Sequence, residues 1–296
     1  MNYSPLRYPG GKSKLAPLIH LIMQNTGSAC HTYIEPFAGG SGVALSLLLE
    51  NKVEKIVIND YDKAIYSFWR AIKDDTRRLL QLIEETPVSI EEWRRQKDIY
   101  TNCNKKYSVE LGFATFYLNR TNRSGVLNGG PIGGLGQAGE YQLDARYNRP
   151  ELIQRIERIA KRKSDISIYN KEVRAFIHQV VSAFQEHTFI YFDPPYYKKG
   201  KELYKNFFKP EDHKTIAESI VESVQCDWIV TYDDVPQIEA LYKKFPMGKL
   251  QLRYSIASSS PFGSEIIIFK DSRYCPSVSQ LKEHKIKIHT SCSSIA

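Results

Sequence analysis

Asp193-Pro194-Pro195-Tyr196 is the segment whose residue types are best suited to chemistry. It follows the apolar run Phe189-Ile190-Tyr191-Phe192, which reads as a buried strand, so the acid is expected where that strand runs out. In open α/β sheets, ligands bind outside the carboxyl ends of the strands. Two consecutive prolines fix φ and remove two N–H donors, which leaves a stiff turn with outward carbonyls. A carboxylate, the Pro194 carbonyl and the Tyr196 ring are thereby held together. Such a set suits a planar ring carrying an amino group: each oxygen accepts one N–H and the tyrosine stacks. The plainer alternative is a strand-ending loop in which Asp193 caps a helix and Tyr196 merely packs.

A second segment offers a binding loop. Thr32-Tyr33-Ile34-Glu35 stops at Pro36, and Phe37-Ala38-Gly39-Gly40-Ser41-Gly42 follows. Then come a helix-like run over 43–50, a strand-like run over 55–58, and Asn59-Asp60. Strand, glycine turn, helix, strand, acid is one βαβ unit of the nucleotide-binding kind. Glycines let a backbone approach a ligand without Cβ clashes. Asp60, after the second strand, can accept hydrogen bonds from ribose hydroxyls; a helix cap or a turn is the alternative, open to Asp62 as well. The glycine spacing departs from G-x-G-x-x-G and counts against a nicotinamide dinucleotide. Near the N-terminus, the Gly10-Gly11 pair of Arg7-Tyr8-Pro9-Gly10-Gly11-Lys12 reads as a tight turn ahead of a cation. Composition alone would make Lys12 a solvated surface group.

The elements that must position these residues follow an alternating rhythm. Further strands are expected at 164–168, 189–192, 228–231, 250–254 and 265–269, with helices at 151–161, 173–184 and 210–224. That pattern implies an α/β fold, a mainly parallel sheet covered on both faces. Residues 66–149 break the rhythm: polar, helical and aromatic, then crowded with Gly125, Gly129, Gly130, Gly133, Gly134, Gly136 and Gly139. They read as an inserted subdomain ending in a long loop or hairpin. The expected division is a discontinuous core at 1–65 and 150–275, the insertion at 66–149, and a poorly ordered tail at 276–296.

The chain has 296 residues, a formal net charge of +8 and a pI near 9.0. A positive excess fits a polyanionic partner. No apolar run is long enough to span a bilayer and no apolar signal region follows Met1, so a cytoplasmic protein is expected. The five cysteines show no metal-ligand spacing; free thiols and no metal are expected.

Arg7-Tyr8-Pro9-Gly10-Gly11-Lys12, Glu35-Pro36-Phe37-Ala38-Gly39-Gly40-Ser41-Gly42 and Asp193-Pro194-Pro195-Tyr196, in that order, resemble the Dam-type DNA adenine N6-methyltransferases. The resemblance runs from about residue 5 to about residue 270. It implies a Rossmann-like methyltransferase core with a mainly parallel sheet and an inserted, largely helical DNA-recognition subdomain. It implies transfer of a methyl group from S-adenosylmethionine to a flipped-out adenine at a specific site in double-stranded DNA. Asp193, Pro194 and Tyr196 are then the catalytic group. The cofactor is expected against Tyr8, Lys12, Glu35, Phe37, Gly39, Gly40, Gly42, Asp60, Asn170 and Asp193. Within the insertion, Asn119, Arg120, Asn122, Arg123, Asn128 and Arg146 are expected at the DNA, since Asn and Arg pair bidentately with adenine and guanine edges. Phosphate contacts that read no base are the alternative. A restriction endonuclease acting on the same site is the expected partner, and a monomer the expected state. The rival readings are the same transfer to cytosine N4 or a glutamine side chain, an RNA substrate, and a catalytically silent DNA-binding homologue; the intact Asp193-Pro194-Pro195-Tyr196 and glycine loop argue against the last. Asp193, in place of Ser or Asn, favours adenine by the resemblance.

Overall fold

The computed structural model describes residues 3–7, 12–184, 186–198, 208–252, 263–283 and 290–293. Its strands are β1 (Thr32–Glu35), β2 (Lys55–Asn59), β3 (Ile166–Tyr169), β4 (Thr188–Phe192), β5 (Asp227–Asp233), β6 (Met247–Leu252), β7 (Gly263–Phe269) and β8 (Thr290–Ser293). They form one sheet in the order β3-β2-β1-β4-β5-β7-β6-β8. The four pairings from β3 to β5 are parallel. The three on the other side, through β7, β6 and β8, are antiparallel. This is the expected Rossmann-like methyltransferase architecture, with β7 inserted antiparallel between β5 and β6.

Alternation along the strands assigns each side chain to a face. Tyr33, Ile56, Ile58, Phe189 and Tyr191 enter one apolar cluster; Ile34, Val57, Ile190 and Phe192 enter another. The first is covered by α1 (Ala16–Asn25), α2 (Gly42–Leu49), α3 (Lys63–Asp74) and α7 (Arg149–Ala160). The second is covered by α8 (Val173–Gln179), α9 (Pro210–Ser223) and α10 (Pro236–Leu241). The helix expected over 173–184 stops at Gln179, where Val180 leaves helical geometry (φ −120°, ψ −55°) and a 3-10 turn, Val181–Ala183, follows. The two β-branched valines are stiff about χ1 and crowd a helical turn.

Between β2 and β3 the chain builds α3, α4 (Thr76–Glu85), α5 (Ile90–Asn102), α6 (Val109–Thr121), the glycine-rich loop and α7. Asp62, Ser89, Ser108 and Asn148 each accept a backbone N–H at the start of one of these helices. Such a cap contributes about 1 kcal/mol. The inserted helices share the main core: Leu79, Ile83, Phe113, Phe116 and Tyr117 lie in the same cluster as Tyr33 and Phe189. The Arg149 guanidinium donates to the carbonyls of Ile83 (2.8 Å) and Thr86 (2.7 Å), closing the end of α4.

The glycine-rich loop is braced from within. The Gln137 amide donates to Ile132 and Gly134 and accepts from Leu143 N–H. Gly125 is required where it stands: its φ is +75° and a Cβ would lie 2.4 Å from the Arg7 carbonyl. The segment from 276, expected to be poorly ordered, holds α11 (Val278–Glu283) and β8 on the β6 edge. Cys30, Cys103 and Cys226 are free, whereas Cys275 is disulfide-bonded, contrary to the expectation of free thiols. Among the described residues no helix is long and apolar enough to cross a membrane.

Candidate active site

Strand order reverses between β1 and β4, and the carboxyl ends of these two neighbours define a crevice. Glu35 closes β1, and Asp193 follows β4. The Glu35 carboxylate accepts Ala44 N–H (2.9 Å), in the first turn of α2, and the Tyr33 hydroxyl (3.1 Å). Burial pushes its pKa up to about 8 despite these donors. Glu35 therefore ties the glycine turn to the strand that precedes it.

The turn itself runs through two residues with positive φ, Gly39 (45°) and Ser41 (46°). Gly39 N–H donates to Asp60 Oδ2 (2.8 Å), and the Gly39 carbonyl accepts Trp69 Nε1–H (2.9 Å). The other Asp60 oxygen accepts Asp62 N–H (2.9 Å). Burial first, then repulsion from Asp62, pushes the Asp60 pKa up to about 7. Asp62, the rival acid, caps α3 through Ala64 N–H. Asn170 donates to the carbonyls of Asp60 (2.8 Å) and Tyr61 (3.0 Å), so it braces the acid's loop. Asn59 joins this loop to the others by donating to Pro36 and Lys171 carbonyls. Gly40 is buried in the turn, and Gly42 sits where a Cβ would meet Ser13 Cβ at 2.8 Å. Phe37 packs edge-on against Phe208. Tyr8 lies outside the described residues.

Around Asp193 the geometry is tighter. Thr231, on β5, donates its hydroxyl hydrogen to Asp193 Oδ1 (2.8 Å) and must then accept from Tyr191 (2.8 Å). Lys12 Nζ stands 3.6 Å from Asp193 Oδ1, and the carboxylate is 25% exposed. Pro194 is buried. Tyr196 is buried as well; its hydroxyl donates to Glu265 Oε1 (2.5 Å) and accepts from Lys12 Nζ (3.0 Å). Lys12 also donates to both Glu265 oxygens, at 2.5 and 2.6 Å. Far from being a solvated surface group, Lys12 is buried among the acids of the site. Burial raises the pKa of Asp193 and of Glu265, and Lys12 opposes both shifts. Asp233 fixes the exit of the turn by accepting Tyr197 N–H (2.7 Å) and Lys198 N–H (2.9 Å).

The residues expected at DNA divide into two groups. Asn119 and Asn122 are buried, and their amides are engaged inside the protein. Asn119 clamps Arg7 by accepting its N–H (2.6 Å) and donating to its carbonyl (2.7 Å) and to Gly125 O. Asn122 accepts Trp93 Nε1–H and donates to the carbonyls of Val126 and Leu127. The expectation that they read base edges is corrected: their amides hold the loop in shape. Arg120 is half-buried, donating to Arg146 O (2.7 Å) and Pro5 O (3.5 Å). Burial, then the nearby arginines Arg7 and Arg155, lower its pKa to about 10. Arg123, Asn128 and Arg146 are exposed.

Glu265, Thr231, Asp233, Asn59 and Trp69 were not anticipated. The one available signal was Glu265, an acid heading the otherwise apolar Ile266-Ile267-Ile268-Phe269. Its partners come from residues 12 and 196, beyond the reach of any local pattern.

The donor set fits a cationic ligand with hydroxyls: four acids, Glu35, Asp60, Asp193 and Glu265, lie at the carboxyl edge of the parallel strands, and Lys12 is paired with the last two. S-adenosylmethionine carries a sulfonium cation and ribose hydroxyls. Among the described residues no group of three or more His, Cys, Asp or Glu is placed to hold a metal ion.

A family model described as D12 class N6 adenine-specific DNA methyltransferase matches residues 8–256. The chain is 25% identical over 279 residues to the type II methyltransferase M1.LlaDCHI of Lactococcus lactis subsp. cremoris, covering 88% of this chain and 93% of that one. It is 25% identical over 206 residues to the type II methyltransferase M.MjaIII of Methanocaldococcus jannaschii, covering 64% and 68%. Among solved structures, the rRNA methyltransferase aviRa from Streptomyces viridochromogenes aligns with a TM-score of 0.40 and 11% identity over 90% of this chain and 88% of that one.

Proposed function

Since the chain belongs to the D12 class N6 adenine-specific DNA methyltransferase family, we propose that Asp193, Pro194 and Tyr196 carry its methylation of adenine N6 in DNA. The family makes S-adenosylmethionine the methyl donor and a specific DNA site the substrate. The observation that carries the residue assignment is the Asp193 carboxylate, oriented by Thr231 at the end of β4, beside the glycine turn after β1.

S-adenosylmethionine supplies an electrophilic methyl group on sulfur, so the transfer is a direct displacement. The difficulty lies with the nucleophile, because the N6 lone pair of adenine is delocalised into the ring. Asp193 and the Pro194 carbonyl each accept one N6–H, which favours a pyramidal nitrogen and stabilises the positive charge that develops there; the methylated ammonium then loses one of these protons, so Asp193 need not be a strong base. Thr231 fixes the carboxylate in advance. Inside a duplex N6 is out of reach, so the base is extruded into the site. Tyr196, anchored through its hydroxyl, stacks on it once the groups covering its ring move aside. Glu35 and Asp60 shape the glycine turn for the cofactor, and Asn170 braces the Asp60 loop.

The insertion at 66–149 recognises the DNA, with Arg123, Asn128 and Arg146 as its outward contacts and Arg120 at a phosphate. The type II naming of both relatives supports a restriction endonuclease acting on the same site. The enzyme works as a monomer in the cytoplasm. Asp193→Ala tests the assignment by single-turnover methylation at saturating cofactor, with a thermal melt as control. Loss of one charge-stabilising group typically costs about 100-fold to 1,000-fold in rate. A folded variant with near-normal turnover overturns the assignment.

A further inference from the structure

Glu265 is an unusual residue to bury, and its surroundings explain why it is there. It lies near the start of β7, in register opposite Asp233 on β5. Because β7 runs antiparallel, its beginning meets the carboxyl ends of the parallel strands, where the site is. The side chain is 2% exposed and receives three donations, two from Lys12 and one from the Tyr196 hydroxyl. Lys12 also donates to that hydroxyl, so lysine, tyrosine and glutamate are each bonded to the other two. Asp193 pairs with the same ammonium at the longer distance of 3.6 Å and also accepts the Thr231 hydroxyl hydrogen.

The charges decide what this arrangement does. With both carboxylates ionised, one cation faces two anions among the described residues. Without Glu265, Lys12 would be left to neutralise Asp193, and the pair would carry no net charge. Glu265 draws the ammonium to its own side, at 2.5 and 2.6 Å against 3.6 Å from Asp193, so the two carboxylates share one cation and a surplus negative charge is left among the described residues. The methyl donor enters as a sulfonium cation and leaves as a neutral thioether of nearly the same shape. Interactions between charges in a buried site are far less screened than in water.

We propose that Glu265 is a positioning residue that sets the charge of the methyl-transfer site, holding Lys12 and Tyr196 so that the site prefers the cationic donor to its neutral product. The proposal rests on the reading of this crevice as the S-adenosylmethionine pocket. It assigns Glu265 no contact with the reacting atoms; its effect passes through Lys12 and Asp193.

The test compares the affinities of S-adenosylmethionine and S-adenosylhomocysteine by calorimetry, without DNA. Glu265→Gln retains the shape and an acceptor oxygen but removes the charge. The donor-to-product affinity ratio should fall roughly ten-fold, almost all of it from weaker binding of the donor. Lys12→Gln removes the opposite charge and should move the ratio the other way. A merely structural role would weaken both ligands together, because they share a shape. An unchanged ratio in a folded Glu265→Gln protein, or a ratio that falls in Lys12→Gln, overturns the proposal. If Glu265→Gln does not fold, the direction of the Lys12→Gln shift decides alone. Wild-type protein that binds neither ligand would instead overturn the underlying reading of the pocket.

Discussion

Glu35 and Asp60 show how single side chains at the strand ends are held: each carboxylate accepts a backbone N–H of the turn or helix it faces. Burial moves Glu35 from 4.5 up to about 8 and Asp60 from 3.8 up to about 7. In that window the folded chain keeps protons that the unfolded chain releases. Stability of the cofactor-free protein should therefore fall as pH rises from about 4.5 to about 8, and level off above. Each such group contributes at most about 1.4 kcal/mol per pH unit. Glu35→Gln keeps the acceptor oxygen and removes one titration, so its stability should decline less steeply across that window. Denaturant midpoints at several pH values check this; parallel declines for variant and wild type would show that Glu35 does not titrate there. The acids were legible in sequence because each ends a strand. What they bond to was not: Glu35 meets an N–H nine positions on, and Asp60 one that lies 21 positions back.

Among the elements, the strands were the most legible, since buried parallel strands read as short apolar runs bounded by turns. The helix break at Val180 and the sharing of one core by sheet and inserted helices were not, because both depend on packing across the fold. The loop after α6 is the element where composition misled most. Asn119 and Asn122 have the residue type that reads adenine, yet their amides are engaged in binding Arg7, Trp93 and the loop's own backbone. Exposure separates them from Arg123 and Arg146. Alanine at either arginine should lower the slope of log affinity against log salt by about 1, and one that reads a base should also relax site selectivity by about 1–3 kcal/mol. Unchanged slope and unchanged sites in both variants would remove these arginines from the interface. Asn119→Ala and Asn122→Ala should act through loop stability instead.

At the scale of the whole molecule, sheet order and charge converge on one edge. The reversal between β1 and β4 places the glycine turn and Asp193 side by side, and β7 brings Glu265 back to the same edge. The family resemblance, which put Glu35, the glycine turn and Asp193 at one cofactor, anticipated the first juxtaposition. The second required knowing that β7 runs antiparallel, which no run of residues announces. A formal net charge of +8 suits a DNA substrate. The most direct test incubates the protein with plasmid DNA and methyl-labelled S-adenosylmethionine, digests the DNA to nucleosides and maps the modified positions. Label in N6-methyladenine, confined to one sequence context, is the predicted result. Label in N4-methylcytosine, or DNA left unlabelled by a folded protein that binds the cofactor, would contradict it.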